Sequence, residues 1–207
     1  MKKIIYIYLL DTYADWEISY ILPIIKMEQQ MKQEHSQFEL KSVSHSAEPI
    51  YSAGGLKVIP DCTSADIDDE NIAGLILPGA DTWQEPEHKE IINIAEKLLT
   101  QGVMIAAICG ATLALANNGI LNGYSHTSNA LDFLKQSPKY QGEDTYSEIL
   151  SVSDSNLITA SAAGNLEFTK DILSHLKLFP EEIINNLYNY YKTGDVKYYL
   201  ALLNDKE

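Results

Sequence analysis

Cysteine is nearly absent: Cys62 and Cys109 are the only two among 207 residues. So few exclude a disulfide framework and fit a reducing compartment. No Cys/His cluster has the spacing of a structural zinc site, and neither metal nor cofactor is expected. Basic residues are scarce too, with 15 Lys and Arg against 29 Asp and Glu, a formal net charge of −14. Such a chain repels phosphate backbones and anionic lipid, which excludes nucleic acid and membrane surfaces as natural partners. No apolar run reaches the ~20 residues that span a bilayer. The opening Met1–Leu10 has a basic start and an apolar run. The run stops at Asp11 with no small-residue cleavage site after it. It reads as a first β-strand rather than a signal peptide, and the cytoplasm is the expected location. Internal repeats, low-complexity tracts and Pro- or Ser-rich linkers are all missing, and the length suits one domain with a sizeable core.

What is present is an alternation of apolar runs with helical periodicity. Residues 3–10 and 38–44 read as strands. Residues 49–59, with Gly54-Gly55 between two short extended pieces, read as a hairpin. Residues 73–79 form a short buried strand that ends in a turn. Between the first two strands, Trp16, Tyr20, Ile24, Met27 and Met31 share a helical face. Asp15 is the candidate N-cap of that helix, and Pro23 is expected to kink it by clashing with the Ser19 carbonyl. Ile91, Ile92, Ala95, Leu98 and Leu99 mark a second amphipathic helix. Downstream, residues 146–152 and 156–160 read as strands paired through Asp154-Ser155. Residues 165–177 read as a helix, and two further apolar stripes flank Gly194. This order implies a mostly parallel sheet covered on both faces. Reactive residues are then expected beyond the carboxyl ends of the strands. Three segments end that way: 11–17, 78–83 and 109–112.

The stretch Ile105–Leu113 carries the clearest chemical signal. An apolar run stops at Cys109, Gly110 follows, and an Ala- and Leu-rich helix begins. Strand, tight turn and helix with a nucleophile at the bend make a nucleophile elbow. The sulfur then lies beside the first unpaired N–H groups of the helix and is expected to ionise more easily than a free thiol. The competing reading is a buried cysteine acting as a small hydrophobe. Cys62 lies in a polar loop and receives no role. Glu17, just past the first strand, reads either as a helix-dipole carboxylate or as a partner of Cys109. A carboxylate and a thiolate in contact would share one proton, with the carboxyl as its carrier. The backbone N–H groups of Gly110 and Ala80 are candidates for an oxyanion hole. A left-handed conformation at Ala80 would be strained. Of five histidines, His35 and His175 read as solvated, and His45 follows a strand. His88 and His126 are kept as auxiliary candidates. None adjoins Cys109 in the chain, so any Cys–His pair must be made by the fold.

Five segments together resemble the PfpI-like (DJ-1/PfpI) family of the class I glutamine amidotransferase-like superfamily. They are Ala14-Asp15-Trp16-Glu17, Leu77 to Trp83, Ala106 to Ala111, Gly123 to Asn129, and Leu166-Glu167-Phe168. They occur in family order over about residues 3–177, with residues 180–207 a helical, aromatic-rich extension. The resemblance implies a flavodoxin-like three-layer α/β sandwich, Cys109 as the reactive cysteine and Glu17 as its carboxyl partner. It also implies a homodimer or larger assembly. Family activities include protease or amidase action, glutamine amide transfer and glyoxalase or deglycase chemistry, and some members are oxidation sensors.

Three positions depart from the family pattern. Many members carry Thr-Ser-His where this chain has Thr127-Ser128-Asn129. The protease-like branch has histidine directly after the cysteine, where Gly110 stands. The usual Pro-Gly-Gly is Pro78-Gly79-Ala80. His126, three residues before Asn129, falls on the opposite face of an extended strand. Asn129 can orient a group or a water, but it cannot move a proton at neutral pH. The leading expectation is a cysteine hydrolase or amidase acting on a small amide or carbonyl compound. The alternatives are a redox sensor oxidised at Cys109 and glyoxalase-type chemistry.

Overall fold

The computed structural model describes residues 2–32 and 36–204. Among them are nine strands: β1 (Lys3–Tyr8), β2 (Phe38–Ser44), β3 (Ile50–Tyr51), β4 (Lys57–Val58), β5 (Cys62–Thr63), β6 (Ile72–Leu77), β7 (Met104–Ile108), β8 (Ser151–Asp154) and β9 (Leu157–Ala160). β3 and β4 pair with each other as the small antiparallel hairpin expected around Gly54-Gly55. The other seven form one sheet in the order β5-β2-β1-β6-β7-β9-β8. Only β8 and β9 run antiparallel; the remaining neighbours are parallel.

The helices are α1 (Ile21–Lys32), α2 (Lys89–Thr100), α3 (Gly110–Ala116), α4 (Leu131–Leu134), α5 (Asn165–Leu176), α6 (Glu181–Thr193) and α7 (Val196–Asn204). α1, α5 and α6 pack together through Ile24, Leu173, Ile184 and Leu187. The turn just past α3 is tied to α2 by Asn118 donating to Asn93 at 3.2 Å. With helices on both faces, the central strands lose their alternation: all five residues of β7 and every residue of β1 after Lys3 are buried. This is a flavodoxin-like α/β sandwich. None of the described helices is long and apolar enough to cross a membrane.

Several local readings change. Asp15–Glu17 is a separate 3-10 turn, and α1 begins only at Ile21. Asp15 therefore caps nothing; its Oδ2 accepts the Gly54 N–H at 2.7 Å and ties the hairpin to the loop after β1. Trp16 leaves the helical face and stands 53% exposed. Pro23 falls in the first turn of α1, a position proline tolerates, and Ser19 precedes the helix, so no kink arises. The apolar face of α1 is set instead by Ile21, Ile24 and Ile25. β8 starts at Ser151 rather than 146, because a tight turn (Ile149 N–H to Ser147 carbonyl, 3.0 Å) bends the chain just before it. The aromatic tail is two helices. α6 docks on α5 and α1, with Tyr191 against Tyr20, while α7 lies outside with Val196, Tyr199 and Leu200 exposed. His35 lies outside the described residues.

Candidate active site

β1, β6 and β7 are consecutive in the sheet and parallel, so the loops leaving their carboxyl ends converge on one edge. Those loops are the three reactive segments expected from the sequence. β6 lies between β1 and β7, so Glu17 reaches Cys109 across the Pro78–Ala80 loop. Ala14 N–H donates to the Gly79 carbonyl at 2.9 Å, which fixes the first loop to the second.

Cys109 sits at the bend with φ 57° and ψ −122°, a conformation that L-residues rarely adopt. Its neighbours hold it there. Its N–H donates to the Ala160 carbonyl at 3.0 Å, and its own carbonyl accepts from Thr112 N–H at 3.1 Å and Thr112 Oγ1 at 2.6 Å. The Thr112 hydroxyl proton is thereby used, so Ser128 Oγ, 2.7 Å away, must donate to Thr112. Thr12, also at positive φ (66°), lines the same cavity. Strain gathered at a cavity is the pattern of a functional site.

Glu17 is fully buried. Its Oε2 accepts the Gly79 N–H at 2.6 Å, while Oε1 has no well-formed hydrogen bond to any described residue. The carboxyl's other interaction is with the Cys109 sulfur. A Cβ on Gly79 would lie 2.7 Å from Cys109 Cβ, 2.8 Å from Glu17 Oε2 and 3.0 Å from the sulfur. Any side chain at this position would force the nucleophile and the acid to shift apart. A Cβ on Gly110 would lie 2.9 Å from the Ala80 carbonyl oxygen, so a bulkier residue after the cysteine would push the Ala80 loop away.

Asn129 turns out to be a neighbour of the sulfur. Its Oδ1 accepts the Ala162 N–H at 2.8 Å, which fixes the amide orientation and leaves Nδ2 donating to Cys109 Sγ at 3.2 Å. The two oxyanion candidates also meet. Neither Gly110 N–H nor Ala80 N–H donates to a protein oxygen among the described residues, whereas the amides of Gly79 and Asp81 are taken by Glu17 and Thr12. Ala80 has ordinary negative φ, so the strain feared there is absent.

Both auxiliary histidines lie elsewhere. His126 is buried, with Nδ1 against the Tyr124 carbonyl and Nε2 against Tyr140 Oη, each at 2.8 Å. His88 is buried beyond Trp83, with Nδ1 2.8 Å from Tyr8 Oη and its ring edge-on to Trp83 and His45. His175 is half-buried on α5 rather than solvated. No histidine is among the described residues that line the cavity, and no group of three His, Cys, Asp or Glu among them could hold a metal.

The electrostatics correct one expectation. α3 has only seven residues, and burial outweighs its amides: the Cys109 thiol is pushed up to about 11. The Asn129 amide pulls the thiol down, the Glu17 charge pushes it further up, and the Gly110 N–H lowers it. Burial also raises the Glu17 carboxyl above the usual carboxylate range, with the Gly79 N–H opposing. Both shifts favour the protonated forms, and groups in such contact titrate as a pair rather than independently.

The DJ-1/PfpI family profile matches residues 2–175. The chain belongs to the DJ-1/PfpI family. A Bacillus subtilis (strain 168) relative named "Uncharacterized protease YoaZ" is 38% identical over 205 residues, covering 97% of this chain and 96% of the relative. A second from the same organism, "Uncharacterized protease YdeA", is 32% identical over 190 residues, 91% of this chain and 90% of the relative. The crystal structure of a thiJ/pfpI family protein from Bacillus anthracis superposes with a TM-score of 0.93 at 36% identity, over 99% of this chain and 97% of that one. The profile match ends one residue short of the end of α5, before α6 and α7. Several site features were not evident in the sequence: the bond between Asn129 and Ala162, the pinch at Gly79, and the flanking of the cavity by Trp16, Trp83 and Phe133. Glycine in the Leu77–Trp83 segment was a visible signal, and Asn129 stood out at the family's histidine position; its Ala162 partner was not visible, because it lies 33 residues away.

Proposed function

We propose that this protein is a cysteine-dependent enzyme of small amides or carbonyl compounds, with Cys109 as nucleophile and Glu17 as the one proton carrier. The observation that carries the reading is the pairing of a fully buried carboxyl with the sulfur of a strained elbow, inside a cavity of about 450 Å³. A cavity of that size suits a small molecule.

On an amide, the reactive form has the shared proton on Glu17 and the negative charge on sulfur. Sulfur adds to the carbonyl carbon, and the oxygen becomes an oxyanion that accepts from Gly110 N–H and Ala80 N–H. Glu17 gives its proton to the nitrogen, the C–N bond breaks, and the amine leaves a thioester on Cys109. Glu17, now a carboxylate, takes a proton from water as the hydroxide adds to the thioester. Collapse expels the thiolate and releases the acid. One amide and one water become one acid and one amine, and the Cys109–Glu17 pair is restored. Asn129 orients the sulfur throughout and moves no proton. A dicarbonyl, as in glyoxalase chemistry, uses the same pair: the sulfur adds to the aldehyde carbon, Glu17 moves the proton from that carbon to its neighbour, and water releases the hydroxy acid from the resulting thioester.

The absence of histidine from the described lining favours a second reading, in which Cys109 is oxidised rather than used as a catalyst. A turnover panel of small amides, peptides and methylglyoxal, with Cys109→Ser as control, tests the first reading. Activity lost in the variant supports it. Inactivity on the whole panel, with clean sulfinate formation at Cys109 after mild peroxide, replaces it with the second.

A further inference from the structure

The cavity's charge is one-sided. The charged residues that line it are Glu17 and Asp81, both acidic, and no described lining residue is Lys or His. The whole sequence contains no arginine, so the guanidinium fork that commonly grips carboxylates and phosphates is unavailable to this protein. Asp81 is exposed at the rim, and its carboxylate forms no salt bridge among the described residues. Deeper in, the Glu17 carboxyl lies beside the Cys109 sulfur, with no cationic side chain among the described lining residues to offset it. The remaining walls are supplied by Trp16, Trp83 and Phe133, whose faces favour cations and neutral apolar groups. Trp83 is held in place by donating to the Pro78 carbonyl at 2.8 Å.

From this the geometry points to a charge filter: the Cys109 cavity admits neutral and cationic small molecules and turns anions away. The inference rests on the reading of this cavity as the substrate site, and it narrows that reading. Neutral amides, amine-bearing amides and neutral dicarbonyls are substrates by class; free carboxylates and phosphate esters are not. Asp81 is the residue that sets the filter at the entrance, and the Cys109–Glu17 pair sets it at the base.

The test uses the intact protein carrying Cys62→Ser. Two reagents of similar size, trimethylammonioethyl and sulfonatoethyl methanethiosulfonate, each form a mixed disulfide with Cys109 and release methanesulfinate. Their rates are normalised to a small neutral thiol. The cationic reagent is expected to be at least about tenfold faster at low salt, and high salt shrinks the ratio. Asp81→Asn reduces it several-fold, while Glu182→Gln, an equal charge change far out on α6, leaves it unchanged. A ratio of one or less, or equal effects from the two variants, overturns the inference.

A second arm does not need a reactive sulfur. The chain has two tryptophans, and both line the cavity. Quenching of their fluorescence by caesium, iodide and acrylamide, each relative to a free tryptophan amide, is expected to show iodide disfavoured, with Asp81→Asn restoring part of its access. If Cys109 reacts with neither reagent, the catalytic reading fails and the quenching alone decides the filter. Iodide quenching as efficient as caesium, unmoved by Asp81→Asn, rejects it.

Discussion

Replacing Glu17 by Gln separates the two groups that share the proton. In the native pair the thiol titrates at about 11 once Glu17 is charged, so only ~0.1% of it is thiolate at pH 8 by that route. The other source of thiolate is the isomer with the proton on Glu17. Its fraction does not change with pH between the two macroscopic steps, because the isomers differ only in where one proton sits. Alkylation of Cys109 is therefore expected to rise in two stages: first as the pair loses its first proton, then again near 11. In Glu17→Gln the side-chain oxygen can keep the Gly79 N–H, and the amide nitrogen then faces the sulfur as a donor. A like charge at ~4–6 Å in a medium of effective dielectric ~20 is worth roughly 3–4 kcal/mol, or at most about two to three pKa units. Burial remains, so the realised drop is smaller, and alkylation at pH 8 rises roughly 10- to 100-fold, in a single stage. Turnover falls in the same variant by about 10²–10⁴, because the proton carrier is gone. Iodoacetamide trapping from pH 5 to 11, read by intact-mass spectrometry, gives both profiles. Superimposable curves for the two proteins would mean that Glu17 does not couple to the sulfur, and the proton-sharing mechanism would be abandoned.

Other outcomes follow from the same geometry. Gly79→Ala drives a methyl between Cys109 and Glu17; it is expected to cost about 1–3 kcal/mol in thermal unfolding and to flatten the two-stage alkylation profile. Asn129→Ala removes the N–H donor from the sulfur and strands the Ala162 N–H, so alkylation at pH 8 falls several-fold with a small drop in Tm. His126→Phe leaves Tyr140 Oη and the Tyr124 carbonyl unpaired, at about 2–4 kcal/mol and roughly 5–15 °C in Tm, with Cys109 reactivity unchanged. Burial holds His88 and His126 below the ordinary histidine value. Their stability contribution is present above about pH 6.5 and is lost as pH falls below it, because the unfolded chain takes up the protons first. Tm is therefore expected to drop between pH 7 and 5, and less steeply in His126→Phe.

The sheet was legible because its signals are local. A buried apolar run such as Met104–Ile108 announces a parallel strand, and the glycine after Cys109 announces the turn. The site was legible only where it repeats that logic at the end of a strand. What could not be read depends on contacts between distant segments. The first apolar helical pattern runs through Trp16 and Tyr20, yet Asp15 spends its carboxylate on Gly54 and breaks the helix off until Ile21. The acidity of the sulfur was misjudged for a related reason. Helix amides are visible in the sequence, but the burial that outweighs them comes from three converging loops. Asn129 looked like a lost histidine and is instead clamped between the sulfur and the loop after β9.

The torsions at residue 109 lie where a chain free to choose would put glycine, at a cost of order 1–3 kcal/mol for any residue with a side chain. Folding alone gives no reason to keep a cysteine there. Swapping it for glycine would relax the backbone and remove the sulfur in one step, so the molecule's steadiest form and its reactive form are different sequences. Selection for heat resistance alone would drift towards an inert protein at this one position, and any programme of stabilisation has to hold it fixed.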